Sequence, residues 1–354
     1  MSRFFSGKYD ALTPYTPGEQ PQDQRYIKLN TNESPFPPSP IAQRMAREAV
    51  GDLQLYSDPE LRALIDAGAE VMGVEKSEIV FTNSSDELLN FAFMAFCDAE
   101  HPAVFPNITY GFYPVYCALN GIPYREFPLR PDFSIDPEDY IGVNSTVFIA
   151  NPNAPTGLAL PVSDIERIVR SNPDNVVVVD EAYVDFGGES ALPLIRKYDN
   201  LLVCRTFSKS RSLAGGRLGF GMADPAIIAD LNTLRYSTNP YNVNRVTTAA
   251  GVGALLDREY FETCCAEIQS IRAWTAAHLR DMGFTFPESS ANFIFAKHRT
   301  AGGQALYLAL KERGVLVRHF ETPLLRDYNR ITIGSADQMR EFIRILGEVL
   351  EVLK

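Results

Sequence analysis

Apolar residues are sparse and aperiodic over residues 1–40, where Pro, Asn, Ser and Thr dominate and the segment closes on LNTNESPFPPSP. The segment reads as an extended arm, with Phe4, Phe5, Tyr9 and Tyr15 as groups able to dock it. From Ile41 the spacing turns helical (IAQRMAREAV), and a second helical stretch runs through ELRALIDAGAEVMGV. A series of strand-then-helix units follows. EIVFTN leads into SSDELLNFAFMAF, AVFPN into a helix from Phe112, STVFIA into NPNAPTG, and LLVCRTF into SKSRSLAGGRLGF, with VVVVDEAY between the last two. These strands are apolar throughout and do not alternate, as parallel strands covered on both faces do. The class is α/β.

After about residue 245 a long helical stretch (REYFETCCAEIQSIRAWTAAHLRDMG) leads into a second unit with strands NFIFAKH, VLVRHF and RITIG and helix GGQALYLALKERG. In the last helix Phe342, Ile343, Leu346, Val349, Leu350 and Leu353 fall on one face. The expected division is an arm (1–40), a large domain (41–245) and a small domain (246–354).

Composition narrows the function. A formal net charge of −11 gives no electrostatic footprint for nucleic acid or an anionic membrane. The five cysteines lack C-x-x-C spacing, and the four histidines form no ligand cluster, so neither a disulfide framework nor a metal site is expected. No apolar leader or membrane span is legible, and the cytoplasm is the expected compartment.

In open α/β sheets ligands sit beyond the carboxyl ends of the strands. Three successive strands end in NPNAPTG (151–157), DEAY (180–183) and Ser208-Lys209, so all three can face one crevice. Asp180 leaves an apolar strand, where an unpaired carboxylate is costly. It is either a cap or structural ion pair, or the partner of a ligand cation such as a protonated pyridine nitrogen. Lys209 lies between an apolar strand and a Gly-rich turn, an unusual place for a solvated lysine and a suitable one for an imine-forming amine. Arg217 could clamp a phosphate. Ser208, Thr206 and the N–H groups at Ser85 and Asp86 would complete an anion cup, although Ser85-Asp86-Glu87 could equally be a helix cap. The P-loop, dinucleotide and nucleophile-elbow motifs are absent or misplaced.

With these residues in place, the chain resembles the fold-type I pyridoxal 5′-phosphate aminotransferases, and within them the histidinol-phosphate aminotransferase family. The resemblance runs from LTPY (12–15) through LNTNESP (29–35), YSDP (56–59), SSDELL (84–89), TYGFY (109–113), NPNAPTG, DEAYVDF (180–186) and RTFSKSRSLAGGRLGF (205–220) to VLVRHF (315–320) and NRITIGS (329–335). It implies a large domain built on a mostly parallel seven-stranded sheet between helices, with the arm joining a smaller α/β domain. Lys209 would hold the cofactor as a Schiff base and later shuttle a proton, and Asp180 would pair with the ring nitrogen. Tyr183 would bond the ring's phenolic oxygen, Tyr110 would stack on the ring, and Ser85, Asp86, Ser208 and Arg217 would hold the phosphate. Tyr56 would reach that phosphate from the neighbouring subunit of a homodimer.

Tyr15, Asn32, Arg318 and Arg330 would line the substrate end. The implied reaction passes an amino group from L-histidinol phosphate to 2-oxoglutarate, giving imidazole acetol phosphate and L-glutamate. Rivals of the same fold are an aromatic aminotransferase and a threonine-phosphate decarboxylase. The sequence departs from many relatives at Ala154, where an asparagine usually contacts the phenolic oxygen; either Asn153 substitutes for it or Tyr183 carries the contact alone. Ser84 likewise stands where Gly or Ala is usual.

Overall fold

The computed structural model describes residues 2–10 and 12–353. In chain order the first half comprises β1 (Ile27–Leu29), α1 (Pro40–Ala49), α2 (Arg62–Met72), β2 (Ile79–Asn83), α3 (Ser84–Phe96), β3 (Ala103–Pro106), α4 (Tyr113–Asn120), β4 (Tyr124–Phe127) and β5 (Thr146–Ala150). It continues with α5 (Val162–Ser171), β6 (Val177–Asp180), β7 (Leu201–Thr206), β8 (Leu218–Met222), α6 (Pro225–Thr238) and α7 (Arg245–Leu256). The remainder is α8 (Arg258–Asp281), β9 (Phe284–Thr285), β10 (Phe293–His298), α9 (Gly303–Glu312), β11 (Val315–His319), β12 (Asn329–Thr332) and α10 (Ala336–Val352).

Seven strands form one sheet in the order β2-β8-β7-β6-β5-β3-β4. β8 runs antiparallel to both neighbours and every other pair is parallel. The non-alternating strands have the expected cause. Val177 and Val179 enter the core on one face, with α1, α2, α5 and α7. Val178 and Leu202 enter the core on the other, with α3, α4 and α6. Two strands were not foreseen. β8 was read as part of the Gly-rich turn; the short loop 207–217 leaves no room for a crossover helix, so the chain returns antiparallel. β4 is an edge strand whose Tyr124, Arg125 and Glu126 are exposed, which hides it from hydrophobic patterning.

The second sheet has the order β1-β11-β12-β10-β9. Its edge is supplied by the arm, because β1 pairs in parallel with β11, Ile27 opposite Val315. Phe342, Leu346 and Val349 of α10 are buried against it, and Ile343, Leu350 and Leu353 pack at the margin, the face expected from spacing. Fully burying a side chain of this size contributes ~1.5–3 kcal/mol.

The ends of the central strands lie level. Ala150 is opposite Asp180, and Asp180 is opposite Cys204. NPNAPTG, DEAY and Ser208-Lys209 therefore leave the sheet at one edge and face the same space.

Candidate active site

A cavity of about 400 Å³ opens over these strand ends, lined by Asp180, Tyr183, Ser208, Lys209 and Arg217 among others. Asp180 lies at its floor. The carboxylate accepts the Ala182 N–H at 3.1 Å and a long bond from the Tyr113 hydroxyl at 3.5 Å. Burial first, then the negative charge of Asp86, pushes its pKa up to about 7. Among the described residues no cation pairs with it. The structural ion pair is instead next door, where buried Glu181 binds Arg205 at 2.9 Å. Asp180 thus has the surroundings of a carboxylate whose cation comes from a ligand.

Lys209 Nζ points into the cavity, 3.4 Å from the Thr31 carbonyl and 5.7 Å from the Tyr183 ring centroid. Among the described residues it forms no ion pair, so its amine is held without being sequestered. Its loop is tied down by Ser210, which donates to Asp185 at 2.6 Å, and Arg205 reaches both Glu181 and Asp185. This brace joins the loops after β6 and β7.

The anion cup forms where α3 begins. Ser84, Arg217 and Ser212 all take left-handed backbone conformations, with φ of 68°, 53° and 57°. Such strain persists where surrounding structure enforces it. A positive φ also accounts for the usual small residue at Ser84. Gly219 packs so closely that a Cβ would lie 2.2 Å from the Ser85 nitrogen. Thr206, Ser208 and Ser85 line the cup. Asp86 takes a different place from that expected. Its carboxylate binds Arg217 and accepts the Tyr110 hydroxyl, each at 2.6 Å, and its N–H is turned to Ser84 Oγ at 3.2 Å. It orients the guanidinium and the Tyr110 ring, and a carboxylate is no ligand for phosphate. Burial, then Asp86, holds the Tyr110 phenol protonated.

The expectation for Asn153 needs correction. Its amide donates to Ile108 O and Thr156 Oγ1 and accepts from Thr109 Oγ1, bonds that fix the 151–157 loop. It does not line this cavity, whereas Ala154 does. Tyr56 is also outside the cavity, 78% exposed and stacked on Tyr241 with centroids 4.5 Å apart.

A second cavity of about 690 Å³ shares Lys209, Tyr110, Tyr183 and Ala154 with the first and extends to Tyr15, Arg318 and Arg330. Arg318 and Arg330 are paired across β11 and β12, and neither meets a carboxylate among the described residues. Arg330 donates to Asn30 O at 3.0 Å and its buried Nε has no partner. Burial, with Arg318 adding repulsion, lowers its pKa. Like charges set opposite each other destabilise a sheet, so the pair carries an uncompensated positive charge into the cavity. Tyr15 lines one wall and packs against Phe112, the rings tilted by 30° with centroids 4.2 Å apart.

Asn32 borders this cavity, where its amide donates to Tyr183 and accepts from Thr332. Sequence reasoning missed Thr31, Thr332 and the Glu181–Arg205 brace. It also missed Glu126, which lines the second cavity and whose pKa burial raises. Among the described residues no cation or donor meets the Glu126 carboxylate.

The residues present fit a pyridoxal phosphate. There is a cation-seeking carboxylate at one end, a guanidinium and hydroxyl cup at the other, and an unpaired amine between. Residues 24–346 match the family model for aminotransferase class I and II, and the chain belongs to that family. The curated relatives that match over the full length are more particular. The histidinol-phosphate aminotransferase of Brachyspira hyodysenteriae is 45% identical, the match covering 99% of this chain and all of that one. Histidinol-phosphate aminotransferase 2 of Dechloromonas aromatica is 46% identical, with 99% of each chain covered. The crystal structure of the Sinorhizobium meliloti histidinol-phosphate aminotransferase with pyridoxal-5′-phosphate superposes with a TM-score of 0.91. It is 25% identical and covers all of this chain and 99% of its own.

Proposed function

We propose that this chain is a histidinol-phosphate aminotransferase, transferring the amino group of L-histidinol phosphate to 2-oxoglutarate in histidine biosynthesis. The observation that carries the substrate is the unpaired Arg318–Arg330 couple on the cavity that also holds Lys209. A guanidinium accepts a phosphate or a carboxylate bidentately, so one couple serves both the donor and the returning keto acid. At another wall of that cavity Glu126 is the group able to accept an imidazole N–H.

Bound pyridoxal phosphate supplies the carbonyl that exchanges amino groups and a protonated ring that draws electron density from the reacting bond. In this reading Asp180 keeps the ring nitrogen protonated, and Tyr183 and Tyr110 fix the plane of the ring. Arg217, Ser208, Thr206 and the Ser85 N–H hold its phosphate. Lys209 carries the cofactor, then takes the proton from the substrate Cα and returns it to the cofactor's C4′. The brace through Ser210 and Asp185 limits how far Nζ can stray between the two positions.

Assembly belongs to the same reading. Tyr56 closes a segment in which Val50, Leu53 and Leu55 are also exposed, apolar surface of the kind that marks an interface. In a homodimer Tyr56 would reach the partner's phosphate cup. The divisions proposed are 1–40, 41–245 and 246–354, although α7 packs into the large core through Ala250, Ala254 and Leu255. The setting proposed for the enzyme is the cytoplasm.

The test is to mix purified holoenzyme with histidinol phosphate, follow the cofactor's visible absorbance, and assay glutamate after adding 2-oxoglutarate. Conversion that disappears in Lys209→Ala supports the proposal. Turnover of phenylalanine or tyrosine with none of histidinol phosphate, or release of CO₂, would sink it.

A further inference from the structure

The Tyr183 ring lies 5.7 Å from the Lys209 amine, and the hydrogen bonding of its hydroxyl is one-sided. Asn32 Nδ2 donates to Tyr183 Oη at 2.9 Å, and among the described residues nothing accepts the Tyr183 proton. The direction of that donation is fixed further back. The Asn32 backbone N–H donates to Thr332 Oγ1 at 3.0 Å, and the Thr332 hydroxyl donates in turn to Asn32 Oδ1 at 3.1 Å. With Oδ1 accepting, the amide must present its NH₂ to Tyr183. A hydroxyl that receives a donor sends its own proton elsewhere, and here the open direction is the cavity. Thr332, Asn32 and Tyr183 are 2%, 1% and 9% exposed, so water does not compete for these bonds.

The three residues come from β12, the arm and the loop after β6. Asn32 holds φ 55°, a left-handed conformation that asparagine tolerates better than most residues. Ala154 borders the same cavity with a methyl group and offers no donor from its side. Asn30, two residues before Asn32, accepts from Arg330, two residues before Thr332. The arm therefore lies along β12 in a register that serves both ends of the site.

We infer that Asn32 and Thr332 are positioning residues that aim the Tyr183 hydroxyl proton at the phenolic oxygen of the bound cofactor, supplying from the arm the orientation that Ala154 cannot. The inference rests on the placement of Tyr183 beside that oxygen. A hydrogen bond to the phenolic oxygen draws off its negative charge and weakens its hold on the proton of the neighbouring lysine linkage. Losing the bond raises the pH at which the cofactor's absorbance titrates by about one unit, the scale of one hydrogen bond to a charged group.

The experiment compares pH titrations of cofactor absorbance in purified holoenzyme, alongside kcat and thermal unfolding. Asn32→Gly removes the amide while suiting the positive φ. Thr332→Val frees the amide to turn over. Both are expected to move the titration upward by about one unit, as Tyr183→Phe does, and Asn32→Gly is expected to add nothing in a Tyr183→Phe background. Ala154→Asn introduced into Asn32→Gly should bring the titration back toward the parent value. If Tyr183→Phe shifts the titration and Asn32→Gly and Thr332→Val do not, the relay is refuted while the site stands. A shift that persists for Asn32→Gly without the Tyr183 hydroxyl makes Asn32 merely structural and also overturns it. If Tyr183→Phe changes nothing, the placement of Tyr183 fails and the relay with it.

Discussion

Replacing Asp180 by asparagine keeps the shape of the side chain and removes a charge that the protein alone does not neutralise. Asp180 is raised from 3.8 to about 7, chiefly by burial. Each tenfold change in proton affinity is ~1.4 kcal/mol. The ionised group therefore costs the cofactor-free chain roughly 4 kcal/mol above pH 7. The sign follows from the folded chain holding this proton more tightly than the unfolded chain. Stability is lost as pH rises from 3.8 to about 7, and the loss is constant above that.

Cofactor-free Asp180→Asn should accordingly be more stable than its parent by about 1–2 kcal/mol at pH 5 and about 4 kcal/mol at pH 8. With ~2 cal/mol/K of unfolding entropy per residue, a single transition would rise by on the order of 5 °C at pH 8. Bound cofactor brings the missing cation, so it should raise the melting temperature more in the parent than in the variant. Turnover should fall at least about 100-fold, because the ring nitrogen no longer has an anion to keep it protonated. Scanning fluorimetry of stripped and loaded protein at several pH values reads all of this except turnover. A cofactor-free variant no more stable than its parent at pH 8 would refute the argument that Asp180 waits for a ligand cation.

Arg330→Lys replaces a planar fork with a point charge and should raise KM for histidinol phosphate by roughly 10- to 100-fold. Histidinol, which lacks the phosphate, should be far less affected, and equal losses on both would place Arg330 outside the anion site. Gly219→Ala would set a methyl 2.2 Å from the Ser85 nitrogen and push the start of α3 outward. Cofactor retention on dialysis should fall at least about tenfold, from overpacking of ~1–3 kcal/mol, and unchanged retention would disprove the close fit of the cup. Tyr56→Ala chains mixed with Lys209→Ala chains should regain activity at limiting cofactor, since each hybrid contains one intact site. No regain in hybrids shown to be dimeric by sedimentation would mean that Tyr56 serves its own subunit or none.

Much of this site was legible because its residues stand at strand ends, where non-alternating valines locate Asp180 and a Gly-rich turn locates Arg217. Asp180 and Arg217 border the first cavity, Arg318 and Arg330 the second, and Tyr183 and Lys209 both. Asn153 misled because adjacent loop residues point to opposite sides of the chain, so it cannot take the place of its neighbour Ala154 on the cavity wall. Asp86 misled because a helix N-terminus advertises backbone donors and is silent about where the side chain turns. Thr332 was invisible because a threonine in a strand is an ordinary β residue. Its meaning depends on the arm lying alongside 300 residues earlier. β4 escaped because an exposed edge strand carries no apolar pattern to detect.

The pairing of β1 with β11 also bears on how the chain is made. The large sheet draws on residues 79 to 222 and can assemble as they leave the ribosome. Ile27 must wait for Val315, so the edge of the second sheet closes only after the whole large sheet has been made, and a contact so distant in sequence forms slowly. Asn30, Thr31 and Asn32 follow directly on β1, which means that a late pairing is also the one that brings the arm to Lys209. A nascent or truncated chain would thus own a cofactor cup before it owns a working site. Limited proteolysis of stalled chains ending before and after residue 317 would reveal that order as a late loss of cleavage within the first thirty residues.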